Sequence, residues 1–441
     1  MTALEPPALV VAGLLAHQVG RLWEQGFKGA HLSYAPVFAV GAPAWLTWTG
    51  QVVALPAALA AVVALPGSAG PLVALACVLC WLGTVQRRLA NHCWLSVVAL
   101  VVLVFAPPSA HAVVARDLLA GLYFSAALFK LNPEYLFTAR SAGRVVTRFY
   151  LGLLGLRVPP ALLRPVPVLV ILAEFVTGLC LLDPGLARGG LVAAIAMHLA
   201  FGVSGNFGFS TVAMVLWAIA LAAGPGGVAV PPVSSGWWAA IPVSAVLAVL
   251  LGRTAAGGRT PSFLAKDLFQ GVTFGAVCAI ALGAPAGRAD WTGTLVHVLV
   301  GALFAVNFAL VLTGAKLEWS FAMFSSLRPF GRSWLQRRLL TDWPRYYVLT
   351  LPDLIPAPLL DAVRPEFLYQ ATRPENAVHE SVVRRLEATA NRYGATLAPR
   401  VVEPGDGELV PSTRASQPPP RRAVLLFPAI VPRSFTKHYL G

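Results

Sequence analysis

Up to about residue 313 the chain is a succession of long apolar runs, and this pattern constrains the fold more than any other feature. The runs lie near 7–23, 46–66, 70–86, 93–107, 112–130, 165–182, 188–204, 206–223, 237–252, 267–284 and 292–313. Each is long enough, or nearly so, to cross a bilayer as a helix of about 20 residues. Charged residues make up 12% of the chain, against roughly a quarter in soluble domains, and the deficit is concentrated in these runs. The expectation is an all-α polytopic transmembrane helical bundle of about 10–11 helices over residues 1–316. A small C-terminal α+β cytoplasmic domain follows over 317–441. The first run is the weakest, because His17, Arg21 and Glu24 interrupt its end; it could lie in the membrane interface instead.

The C-terminal part has apolar segments suited to short strands at Tyr346 to Leu351 and Ala423 to Val431, and one helical stretch from Glu375 to Asn391. Residues 403–422 are rich in Pro, Gly, Ser and Arg and read as a flexible loop. The start of the chain lacks the basic segment and cleavage site of a secretory signal.

Net charge is +14, which in a soluble chain would suggest nucleic acid. Here the basic residues gather in loops, and none is interleaved with aromatics as a nucleic-acid site requires. Arg87 and Arg88, Arg140 to Arg164, Arg253 to Lys266, and Lys316 all fall on one side when eleven spans are counted. That side, with the C-terminal domain, is expected to be cytoplasmic. The protein is therefore expected in the cell membrane, crossing it many times. Arg140, Arg144 and Arg148 recur every four residues and would share a helix face. Such a face suits anionic lipid or an anionic substrate.

Five cysteines lie in or beside apolar runs, and Cys77-x-x-Cys80 has no second pair to complete a zinc site. The histidines are too scattered in sequence to argue for a metal, and none is expected.

Ionisable groups inside apolar helices are costly and are functional candidates by default. His92 opens the fourth run and could be a base, a ligand or an interface residue. Lys130 ends the fifth; it could snorkel to the surface, or point inward and act as a proton acceptor. Glu174 sits mid-run, where a carboxylate must be protonated or paired with a buried cation or amide. His198 lies near the end of the seventh run. Asp117, His297 and Asn307 fit helix-to-helix hydrogen bonds.

The stretch Tyr123 to Tyr135, YFSAALFKLNPEY, resembles the lysine motif of vitamin K-dependent gamma-carboxylases and their bacterial HTTM relatives. Asn91-His92-Cys93-Trp94-Leu95 resembles the family's Asn-His helix start, and Glu318 to Ser325 its tryptophan motif. Glu174 and His198 follow in the family's order. The resemblance covers roughly residues 10–330. Two details differ: Leu128-Phe129 before the lysine is bulkier, and the following aromatic is Tyr135 rather than tryptophan.

The resemblance implies Lys130 as the base and His92 as its electrostatic partner, with Glu174 and His198 completing the catalytic set. Asn91, Tyr123 and Trp319 would contact the cofactor. It further implies a reduced, vitamin K-type quinone, oxygen and carbon dioxide, so the chain would couple quinol oxidation to proton abstraction. The partners implied are the lipid bilayer, a lipophilic quinol or other lipid-borne substrate, and a peptide or protein substrate. The alternatives are a non-catalytic lipid-binding scaffold and, third, a transporter.

Overall fold

The structure is a computed structural model that describes residues 3–25, 44–84, 91–139, 141–153, 155–224, 226–255, 261–284, 294–313, 346–350, 376–394, 398–402, 409–411 and 430–432. Strand β1 (Ala3–Leu4) leads into helix α1 (Pro6–Gln25). Then come α2 (Ala44–Val52), α3 (Ala54–Ala64), α4 (Ala69–Thr84) and α5 (Asn91–Phe105). Next are α6 (His111–Phe129), the short α7 (Pro133–Phe137), α8 (Ala142–Leu153), α9 (Val166–Cys180) and α10 (Ala187–Phe201). A π-turn over Gly202–Asn206 joins α10 to α11 (Phe207–Ala222). Strands β2 (Ala223–Gly224) and β3 (Gly227–Ala229) precede α12 (Ala240–Ala255), α13 (Pro261–Leu282) and α14 (Thr294–Leu312).

Every apolar run corresponds to a helix, the second being divided between α2 and α3 at Val53. Among the described residues, four helical stretches are long and apolar enough to cross a membrane: Pro108–Phe129, Pro160–Cys180, Leu264–Leu282 and Leu295–Leu312. Seven other apolar helices are shorter, at 10–17 residues. Proline and glycine set several ends. Pro107-Pro108 follows α5, and Gly224-Pro225 follows α11.

Helix α11 is the axis of the bundle. All its residues from Phe207 to Ala222 are buried, and α1, α5, α6, α10 and α13 pack around it. A helix apolar all round has no face for water. Helix α1, which the sequence allowed to lie flat at an interface, instead packs into the bundle with Val11 and Leu14 fully buried. By contrast α9 and α14 expose leucine and valine faces, among them Leu169, Leu172, Leu295 and Val298.

Strands β1, β2 and β3 form a small antiparallel sheet, with Ala3 opposite Ala229 and Ala223 opposite Val228. Gly227 adopts φ 98°, and a Cβ there would lie 2.8 Å from the Leu4 carbonyl oxygen. Only glycine allows both the turn and that approach.

Residues from 346 onward contribute β4 (Tyr346–Thr350), β5 (Asn376–His379), α15 (Glu380–Arg392), β6 (Ala398–Val402), β7 (Leu409–Pro411) and β8 (Ile430–Pro432). The strands make one antiparallel sheet in the order β7-β6-β4-β5-β8. Two expectations are corrected. The helix begins at Glu380, because Asn376–His379 pair with β4 and β8 instead. Leu409–Pro411, inside the expected loop 403–422, form a strand on the edge of β6. In both places cross-strand pairing outweighs local composition. Lys266, expected in a loop, lies within α13 and is buried beside Asp267, because that helix starts at Pro261.

Candidate functional site

The site is built outward from the end of α6. Lys130 is 1% exposed, and its amine points into the bundle rather than outward. Its Nζ donates to both oxygens of Glu174 on α9, at 2.7 and 2.8 Å, and to the Ala126 carbonyl at 3.2 Å. Glu174 is 3% exposed. The buried carboxylate is thus paired with a cation, one of the states its cost in an apolar helix allows. The amine is therefore not alone in the bundle but shares its site with the Glu174 carboxyl.

The turn after Lys130 is fixed by Asn132. Its side-chain amide donates to the Phe129 carbonyl, and its Oδ1 accepts from the Tyr135 amide. One residue therefore ends α6 and caps α7. That places the buried Tyr135 ring 6.0 Å from Lys130 Nζ. Burial first, and the Glu174 charge second, hold the Tyr135 hydroxyl well above its ordinary pKa. It therefore stays protonated and does not compete for the role of base.

Tyr123 stands two turns before Lys130 on the same face of α6. Trp217 Nε1 donates to its hydroxyl oxygen at 2.9 Å, and that hydroxyl lies 2.8 Å from His198 Nε2. The arrangement that uses the tyrosine proton has the hydroxyl donating to Nε2, with the histidine proton on Nδ1. Nδ1 is buried and has no hydrogen-bond partner among the described residues. Ser210 Oγ donates to the His198 carbonyl and holds that turn against α11.

His92 is buried at the start of α5, and its Nε2 lies 2.9 Å from Nδ1 of His17 on α1. Gly208 makes the approach of α11 possible, since a Cβ there would fall 3.2 Å from His92 Nε2 and closer still to His17. With Cys93 the two histidines bring three ligand atoms within 4.8 Å of one another. Two histidines far apart in sequence, His17 and His92, thus meet in space, while His198 and His297 stand elsewhere. Two imidazoles and a thiolate are donors that suit zinc.

These groups form three clusters rather than one. No hydrogen bond joins Lys130 to His92, or Glu174 to His198. The Phe209 ring links two of the clusters, with its centroid 6.2 Å from His92 and 5.2 Å from His198. Asn91 opens α5. Trp319, like Lys316, Arg87, Arg88 and Arg140, lies outside the described residues.

Arg144 proves to have an internal task. Its guanidinium donates to the carbonyls of Leu136, Phe137, Thr138 and Arg164, at 2.7 to 3.2 Å. It closes the end of α7, where helix carbonyls lack partners, and so is not a hand offered to lipid or to an anionic substrate. Arg148, one turn on, is exposed.

Sequence reasoning missed His17 as a partner for His92, and Arg116 altogether. On α6 Arg116 donates to Asp117 Oδ1 from Nε at 2.8 Å. Asp117 Oδ2 lies 2.5 Å from Nδ1 of His297 on α14. The signal was available: an Arg-Asp pair inside an apolar run is as costly as Glu174. Compared with known protein families, with curated proteins and with solved structures, the chain matches none.

Proposed function

We propose that the chain is a multi-pass membrane enzyme of the carboxylase-like class, in which Lys130 and Glu174 take a proton from a lipophilic quinol-type hydroxyl. The observation that carries this reading is the buried pair itself, at 2.7 and 2.8 Å. An apolar pair of similar volume would serve the fold at least as well, so the presence of two charges there argues for use. The membrane reading is supported by the four long apolar helices and the exposed leucine faces of α9 and α14. The basic loops support a cytoplasmic side for the Lys130 end of α6 and for the residues after 316.

The donor set fits a quinol. The pair holds one proton between amine and carboxylate, and it can accept a second to become an ammonium beside a neutral carboxyl. That state carries a net positive charge, which the anion left by deprotonation would balance in a low-dielectric interior. Lys130 and Glu174 would hold the hydroxyl. His92 shares a hydrogen bond with His17 in a separate cluster, so the proton transfer is assigned to Lys130 and Glu174 alone. When bound, a reduced quinone would supply the acidic hydroxyl and the electrons for oxygen, one quinol and one O2 giving one epoxide and one water.

The test is to purify the protein in detergent, add menaquinol and oxygen, and look for quinone epoxide. Wild type should form it. Lys130→Met and Glu174→Gln, checked for folding by thermal unfolding, should not. No epoxide from wild type, or equal epoxide from a folded Lys130→Met, would sink the reading.

A further inference from the structure

The opposite half of α6 carries a second constellation of ionisable groups, beside a cavity of about 500 Å³ between α6, α14 and the residue Leu182 after α9. One end is polar, formed by Arg116, Asp117 and His297. The rest of the wall is almost wholly apolar and runs along α6 to Ser125 and Leu128. From Arg116 to Leu128 the helix rises about 18 Å, the scale of a long chain rather than of a compact solute. At the far end the Phe129 and Phe308 rings stack, with centroids 5.1 Å apart.

Two glycines shape this space in opposite ways. At Gly121 the Phe304 ring lies against the backbone, leaving no room for a Cβ. At Gly301 a Cβ would meet nothing within 4 Å, so the missing side chain there keeps the cavity open. The rim is greasy: Leu182 is 56% exposed, and the neighbouring α14 residues Val298 and Leu299 are about as exposed. In a membrane this rim faces acyl chains.

The polar end also selects. Asp117 has both oxygens engaged, Oδ1 by Arg116 and Oδ2 by His297. One guanidinium and one carboxylate balance, so an anionic head would meet Asp117 and a cationic head would meet Arg116. A neutral head bearing oxygen meets neither penalty and can accept from the guanidinium. We infer that this cavity binds a bilayer-borne amphiphile with one long apolar chain and a neutral oxygen-bearing head, seated at Arg116, Asp117 and His297. The inference rests on the membrane reading proposed above, but not on the chemistry at Lys130.

The experiment uses the full chain in phospholipid nanodiscs and a long-chain alcohol carrying a diazirine on its chain. After photolysis, labelled peptides are mapped by mass spectrometry. Label should concentrate on 116–128 of α6 and 297–308 of α14, well above the equally exposed leucines of α9. Gly301→Leu should cut that label by about tenfold with thermal unfolding unchanged. Asp117→Asn should raise labelling by the matching fatty acid relative to the alcohol. Competition by menaquinone would identify the head as a quinone carbonyl, and competition by a monoacylglycerol as an ester or hydroxyl; either supports the site. Even labelling of all exposed leucines, no competition by either compound, or label unaffected by Gly301→Leu would overturn it. The double variant Lys130→Met, Glu174→Leu, which leaves no buried charge unpaired, should keep the labelling, so a failure of the proposed chemistry and a failure of this site read out separately.

Discussion

Helix α6 carries an ionic network at each end, and the two are built differently. Lys130 and Glu174 come from different helices and are almost wholly buried, with side-chain exposures of 1% and 5%. Arg116 and Asp117 are sequence neighbours, 10% and 12% exposed, and reach out to a more open His297 at 35%. The first network exists only when the bundle is assembled. The second is half made within its own helix and is completed by α14. A charge whose partner is supplied by folding ties stability to that partner; a charge whose partner is adjacent does not.

The sharpest way to break this comparison is to remove one partner from the deep pair. Lys130→Met leaves Glu174 buried without its cation and should cost about 3–5 kcal/mol, read as a fall in thermal unfolding temperature in detergent. The double variant Lys130→Met, Glu174→Leu should regain most of that loss. If the single variant is as stable as wild type, the pair does not bind α6 to α9.

Next is Tyr123→Phe, which strips the hydroxyl from between His198 and Trp217. It leaves two buried nitrogens unserved, at about 1–3 kcal/mol each. An unfolding midpoint unchanged from wild type would show that other groups satisfy them.

The smallest contrast tests the α6–α14 seam. Gly121→Ala puts a methyl into the Phe304 ring and should destabilise by about 1–3 kcal/mol. Gly301→Ala enters open space and should be neutral, or stabilising by up to about 1 kcal/mol through helix propensity. Equal effects would mean that the seam is not packed as described.

The helices were legible because apolar runs of this length have few alternatives; each became one helix except 46–66, which became two. The need for a partner at Glu174 was legible too, from the cost of a lone carboxylate. Which partner was not, since Lys130 and Glu174 stand 44 residues apart and nothing local joins them. The same holds for His17 and His92, 75 apart, which looked unrelated along the chain. Arg144 shows the reverse failure. Its four-residue spacing with Arg148 suggested a shared charged face, whereas its length lets it fold back on the carbonyls of α7. Strand β7 was hidden because turn-rich composition says nothing of a waiting edge on β6.

The small sheet of β1, β2 and β3 bears on how the molecule comes together. Ala3 pairs with Ala229, far along the chain, and α1 packs against α11 and α13. Helix α1 also packs against α3 and α5, which follow it closely, but its contacts with α11 and α13 can form only after those helices have emerged. Closing that clasp is a late event in assembly, and a chain interrupted before Gly227 would hold α1 without the β1–β3 pairing.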